Sequence, residues 1–133
     1  QAEFLVERVL TQLVRDGVLD DERLALARAE QLRLRGSSRS AIRGKLQEKG
    51  IRRKIIDRAL ADVDEPGGDA ELLSAIQYVR RRRLGPARDT AQRAARRDKD
   101  LAAVARAGFS FGVARRVIDC EDLDALQLVA AGD

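Results

Sequence analysis

Ile55-Ile56-Asp57-Arg58-Ala59-Leu60-Ala61-Asp62-Val63 places apolar side chains at i, i+1, i+4, i+5 and i+8. That spacing is one stripe on a 3.6-residue period, so the segment reads as an amphipathic helix with a single face to bury. The same stripe occurs twice more. Leu5-Val6-Glu7-Arg8-Val9-Leu10 and Val113-Ala114-Arg115-Arg116-Val117-Ile118 align with Ile55-Ile56-Asp57-Arg58-Ala59-Leu60, and Arg8, Arg58 and Arg116 coincide. Upstream of the second and third copies the likeness continues: Leu46-Gln47-Glu48-Lys49-Gly50-Ile51 aligns with Val104-Ala105-Arg106-Ala107-Gly108-Phe109. Each of these short helices ends in Gly, which accepts a left-handed backbone without a Cβ clash.

The repeating unit is therefore three helices: a long one, a short one closed by Gly, and a third carrying the stripe. Helices are expected over 3–16, 21–35 (ending at Gly36), 39–49 and 69–84 (ending at Gly85-Pro86), with the stripe helices after Gly50 and Gly108. The expected organisation is a third helix of a truncated first repeat (1–18), a second repeat (19–65), a third repeat (66–126) and a tail (127–133). The fold class is all-α, with tandem three-helix repeats in an elongated, curved array whose neighbours share a core. Ser37 or Ser38 should cap helix 39–49 and Ser110 the last stripe helix. Asp20-Asp21-Glu22 should lie on the first turn of helix 21–35, where the helix dipole favours negative charge. Three carboxylates at a helix start are caps far more often than metal ligands.

Composition narrows the chemistry. Among 133 residues there is no His, no Trp, no Met and one Cys, Cys120. Zinc sites of Cys and His, Ser-His-Asp or Cys-His catalysis and disulfide frameworks are thereby excluded. Gly36 to Lys45 is not a phosphate loop, because seven residues separate Gly36 from Gly44 and Leu46 follows Lys45 where a Ser or Thr is needed. No catalytic residues, no metal and no cofactor are expected. No apolar run approaches the roughly 18 residues of a membrane span, and the reading is of a soluble intracellular protein.

Charge is distributed unevenly. Residues 28–54 hold ten basic and two acidic side chains, and residues 80–116 hold twelve and three, whereas the flanking stretches are net acidic. Arg outnumbers Lys 22 to 4, which suits planar, bidentate contact with phosphate or carboxylate. With only Phe4, Tyr78, Phe109 and Phe111 as aromatics, nucleic-acid contact would be mainly phosphate-directed and salt-sensitive rather than base-stacking. The charge-based candidates for a partner or DNA surface are Arg33, Arg35, Arg39, Arg43, Lys45, Arg80, Arg81, Arg82, Arg83, Arg93, Arg96 and Arg97. The run Arg80 to Arg83 sweeps most of a helical turn, so part of it must lie along apolar neighbours and part at the helix C-terminus.

Gly17-Val18-Leu19-Asp20-Asp21-Glu22-Arg23-Leu24-Ala25, the stretch from Ser38 to Ile51, the stretch from Lys99 to Ser110 and Ala114-Arg115-Arg116-Val117-Ile118 resemble, in order, the motifs of the RecX family. Leu24 stands where the family usually has Phe, a loss of core volume for neighbouring alanines to absorb, and the first two helices of the first repeat are missing. The resemblance implies a bacterial cytoplasmic regulator of the RecA recombinase, built from three-helix repeats and docking in the groove of the RecA–DNA filament. It implies inhibition of ATPase and strand exchange, a role in DNA repair, homologous recombination and the SOS response, DNA binding, and action as a monomer. The alternative reading is a helical module that binds DNA without sequence preference and without RecA; a structural helical-repeat adaptor is the third.

Overall fold

The computed structural model describes residues 2–64 and 69–132, with side chains from Leu5 onward. Pro66, one of the two expected breaks, lies outside the described residues. Among those described there are helices and turns and no strands.

Helix α1 runs unbroken from Ala2–Leu34. The expected break between 16 and 21 does not occur. Gly17 costs about 1 kcal/mol in a helix interior but carries no steric stop, and no Pro follows it. Asp20, Asp21 and Glu22 consequently sit in mid-helix rather than on a first turn, and Glu22 faces Arg58 at 3.5 Å. The C-terminal half of α1 buries Ala25, Ala29 and Leu32, three residues on one face. Leu24 is half exposed, so it is not the core position the sequence suggested, and the alanines beside it line the core instead.

Helices α2 (Arg39–Glu48) and α3 (Arg53–Val63) close the first module against that face. Ile42, Leu46, Ile51, Ile55, Ile56, Ala59 and Leu60 join the α1 residues in one core. The stripe that opened the sequence reading is thus buried from Ile55 to Leu60, with Val63 partly buried at its end. Its first copy is not: Leu5, Val6, Val9, Leu10, Leu13 and Val14, on the N-terminal half of α1, are each 56–62 % exposed.

The second module begins with α4 (Ala70–Arg82), which ends when Arg83 takes the left-handed conformation. A 3-10 turn at Gly85–Ala87, around Pro86, and the short α5 (Thr90–Arg93) lead into α6 (Arg97–Arg106) and α7 (Phe111–Asp119). Val104, Phe109, Ala114, Val117 and Ile118 repeat the buried positions of the first module one for one with Leu46, Ile51, Ile56, Ala59 and Leu60. Helix α8 (Leu123–Ala130) follows and packs on α4, so residues 127–130 are helical and anchored through buried Ala130, with Leu128 and Val129 exposed, where a tail was expected.

Candidate anion cleft at the joint between modules

The two modules meet where α1 ends, α2 begins and α4 passes behind both. Arg33, in the last turn of α1, is buried and joins them. Its Nε and Nη2 donate to both carboxylate oxygens of Asp64 (3.0 and 2.8 Å), and Nη1 donates to Glu71 (2.8 Å), the Ser74 hydroxyl (3.1 Å) and the Ser37 carbonyl (3.1 Å). Burial alone would lower the Arg33 pKa, but hydrogen bonds and charge from Asp64 and Glu71 outweigh it and hold the guanidinium above its ordinary value. Burial likewise favours the neutral form of Asp64, and Arg33 and Arg39 reverse that, so its carboxyl lies below the usual carboxylate range.

Two close contacts complete the joint. The buried Ser38 hydroxyl accepts from the Ala41 N–H (3.0 Å), capping α2, and donates to the Ala107 carbonyl (2.7 Å), 69 residues away. Gly108 sits over it with φ +100°, and a Cβ there would lie 2.5 Å from Ser38 Oγ. At Gly36 (φ +90°) a Cβ would lie 2.7 Å from the Tyr78 backbone nitrogen, so helix α4 passes directly against this turn. Side-chain volume at either glycine would push the modules apart.

A cleft of about 440 Å³ opens beside this joint, with Ser37 on the first module's side and Tyr78, Arg81, Arg82 and Arg106 on the second's. No acidic side chain lines it. Arg82 lies over the Tyr78 ring, 5.5 Å from its centroid. Arg81, Arg82 and Arg106 make no ion pair among the described residues, which leaves their N–H groups open to an incoming anion. A second cleft, of about 770 Å³, lies between α2 and the α6–α7 turn. Its arginines are already engaged, Arg39 with Asp64 and Arg43 with Asp57 (each 3.0 Å), and Glu71 lines it.

The twelve basic candidates therefore separate. Arg33 is an internal tie and presents nothing to a partner. Arg80 donates to Asp124 and Gln127 of α8. Arg93 donates to the Ile118 carbonyl (2.9 Å) and to that of Cys120, and Arg97 holds Asp119 with two bonds (2.7 and 2.8 Å). Arg35, Lys45, Arg83 and Arg96 are exposed, without an ion pair among the described residues. Only Arg81 and Arg82 of the candidates line the carboxylate-free cleft. Arg106 and Tyr78, which complete it, were not singled out from sequence. The signal available for Arg106 was its place at the end of the short helix, two residues before Gly108.

Among the described residues no group of three or more His, Cys, Asp or Glu is placed to hold a metal, and no helix is long and apolar enough to cross a membrane. Burial pushes the Cys120 thiol pKa up, which disfavours its thiolate and hence nucleophilic use.

Two all-α modules of the same three-helix plan, joined by buried polar contacts, define a helical-repeat protein. The profile described as "RecX, second three-helix domain" matches residues 20–60, the segment that supplies the C-terminal half of α1, all of α2 and most of α3. The regulatory protein RecX of Myxococcus xanthus is 41 % identical over 115 residues, covering 86 % of this chain and 60 % of the relative. The proteins of that name from Mycolicibacterium vanbaalenii (34 % over 120 residues, 85 % and 62 %) and Agrobacterium fabrum (31 % over 100 residues, 75 % and 51 %) are also similar. The chain belongs to the RecX family. It spans about half to three-fifths of the length of these relatives. No solved structure matches it.

Proposed function

We propose that this chain regulates a RecA-type recombinase, binding along the RecA–DNA filament and lowering its ATP hydrolysis and strand exchange during recombinational DNA repair. It does so by occupying the filament, as a monomer in the cytoplasm, with no chemistry of its own. The reading rests on family membership, and the observation that carries it to a surface is the cleft of Arg81, Arg82 and Arg106. These three are exposed, line one cleft without a carboxylate and make no ion pair among the described residues, so they are free for an external polyanion. Exposed Arg35 and Arg83, next in sequence to the lining residues Gly36 and Arg82, add positive charge beside it.

The test is DNA-stimulated ATP hydrolysis by the cognate RecA, titrated with this chain. Suppression at less than one chain per recombinase subunit supports the reading. Unchanged hydrolysis at saturating chain, with DNA binding intact, replaces it with the DNA-binding module that acts without RecA.

A further inference from the structure

We infer that residues 89–99 form a loop whose crest lifts off the end of α7 as a unit while both cores stay packed, and that two arginine side chains hold it down. The lifting needs no partner, so it stands or falls apart from the recombinase reading.

The connection from the first helix to the short helix is four residues long in the first module, 35–38, and fourteen in the second, 83–96, where it carries α5. The added length is not packed into the core. From Arg88 to Lys99 no residue is buried; Arg88 and Arg93 are half-buried, and Ala91, Ala94 and Ala95 are exposed. The ends of the stretch are nevertheless fixed. Arg88 donates twice to the buried Asp100 carboxylate (2.7 and 2.8 Å), which also accepts from the Gly85 N–H (2.8 Å), so one charged pair closes the base of the loop. A surface segment of this length whose ends meet has the form of an Ω-loop, which usually packs on its own side chains. Here the crest leans on α7 instead. Arg93 donates to the carbonyls of Ile118 (2.9 Å) and Cys120, and Arg97 holds Asp119 with two bonds (2.7 and 2.8 Å). Between these ties a cavity of about 260 Å³ separates Thr90, Arg93, Ala94 and Arg97 from Ile118 and Asp119.

Base and crest differ in strength. The base carboxylate is buried, whereas the side chains of Arg97 and Asp119 are 45 % and 41 % exposed, so salt screens the crest and spares the base. Lifting the crest breaks the ties of Arg93 and Arg97 and leaves the base closed. Both arginines then lose their internal acceptors, and the positive charge this face presents is set by a conformational equilibrium.

The experiment is amide hydrogen exchange by NMR on the whole chain at 0.05 and 0.5 M salt, with rates corrected for those of the unfolded sequence. Gln92, Arg96 and Arg97, whose N–H groups bond within the crest, report lifting; Gly85 reports the base and Val117 the core. The three crest amides should exchange at least tenfold faster than Gly85 and Val117, and threefold faster again at high salt by a common factor, with Gly85 and Val117 within twofold. Arg93→Gln/Arg97→Gln should speed the crest at least tenfold, abolish its salt response and spare Gly85. Arg80→Gln, which removes a tie to α8 instead, should leave the crest within twofold. Equal rates at the crest and Val117 would make the loop part of the core, and crest rates of the unfolded chain in the parent would mean that nothing holds it; either overturns the inference. So would a Gly85 amide that accelerates with the crest, or a crest that the double variant leaves unmoved.

Discussion

The two modules bury the same positions by different polar means. In the first, the short helix α2 is capped by Ser38 and the stripe helix α3 has no side-chain cap; in the second, the short helix α6 has none and the stripe helix α7 is capped by Ser110. The stripe Arg reaches a carboxylate at the beginning of its own module in both, Arg58 to Glu22 at 3.5 Å and Arg116 to Asp69 at 3.9 Å. The second module also holds a buried carboxylate, Asp100, which accepts from the Gly85 N–H (2.8 Å) and twice from Arg88 (2.7 and 2.8 Å). The shared stripe specifies three packed helices. The polar groups, which differ, specify where each module ends and what it is fastened to.

The comparison breaks most severely at the stripe itself. Leu60 and Leu10 occupy equivalent stripe positions, one 3 % and the other 56 % exposed. Leu60→Ala should cost about 2–5 kcal/mol by loss of contact plus cavity, whereas Leu10→Ala should fall within about 0.5 kcal/mol of the parent. Urea unfolding followed by circular dichroism reads both, and a large cost at Leu10 would mean that the first stripe is covered in solution. Next comes Arg33→Met, which strands Asp64 and Glu71 at the joint and should cost about 3 kcal/mol on the same assay.

The two serine caps sharpen the contrast at smaller scale. Ser110→Ala removes only a cap, about 1 kcal/mol. Ser38→Ala removes a cap and also leaves the Ala107 carbonyl without its partner, so about 2 kcal/mol is expected. Equal losses would show that the Ser38–Ala107 bond adds nothing to the joint.

The weakest expected effect is one of pH. Asp64 and Asp100 both titrate below the usual carboxylate range; burial opposes this in each, and it is overcome by Arg33 and Arg39 for Asp64 and by Arg88 and the Gly85 N–H for Asp100. A carboxyl depressed in the folded state contributes stability that is complete above its unfolded pKa, about 3.9, and is lost as pH falls through the folded value. Stability should therefore be flat from neutrality to about pH 5 and decline below it. Asp100→Asn should be less stable at neutral pH and show a shallower acid decline. An unchanged decline would assign the acid sensitivity to other carboxylates.

The core was legible because burial imposes a period. Every buried stripe position of α3 and α7 was visible as spacing, and so were the Gly50 and Gly108 turns and the Ser38 and Ser110 caps. What was not legible depended on distance in sequence. Nothing local distinguishes Arg33 from Arg35, yet one is buried against carboxylates 31 and 38 residues away and the other is exposed. Arg106 joins Arg81 and Arg82 because α6 packs on α4 within the second module. Helix α1 looked like two helices because Gly17 and the acidic trio imitate an end and a start. Residues 127–130 looked like a tail because exposed Leu128 and Val129 blur the stripe that Leu123, Leu126 and Ala130 form at i, i+3 and i+7.

Gly108 gives the array a direction. Identical units in a repeat protein can be duplicated, deleted or exchanged, because each meets its neighbour in the same way. Here the second unit's turn carries a backbone with no side chain, seated on a serine that only the first unit's entry supplies. Gly50, the equivalent turn of the first unit, has open space around it. The seat therefore has a direction: the serine belongs to the first unit and the side-chain-free turn to the second, so the two units cannot exchange places.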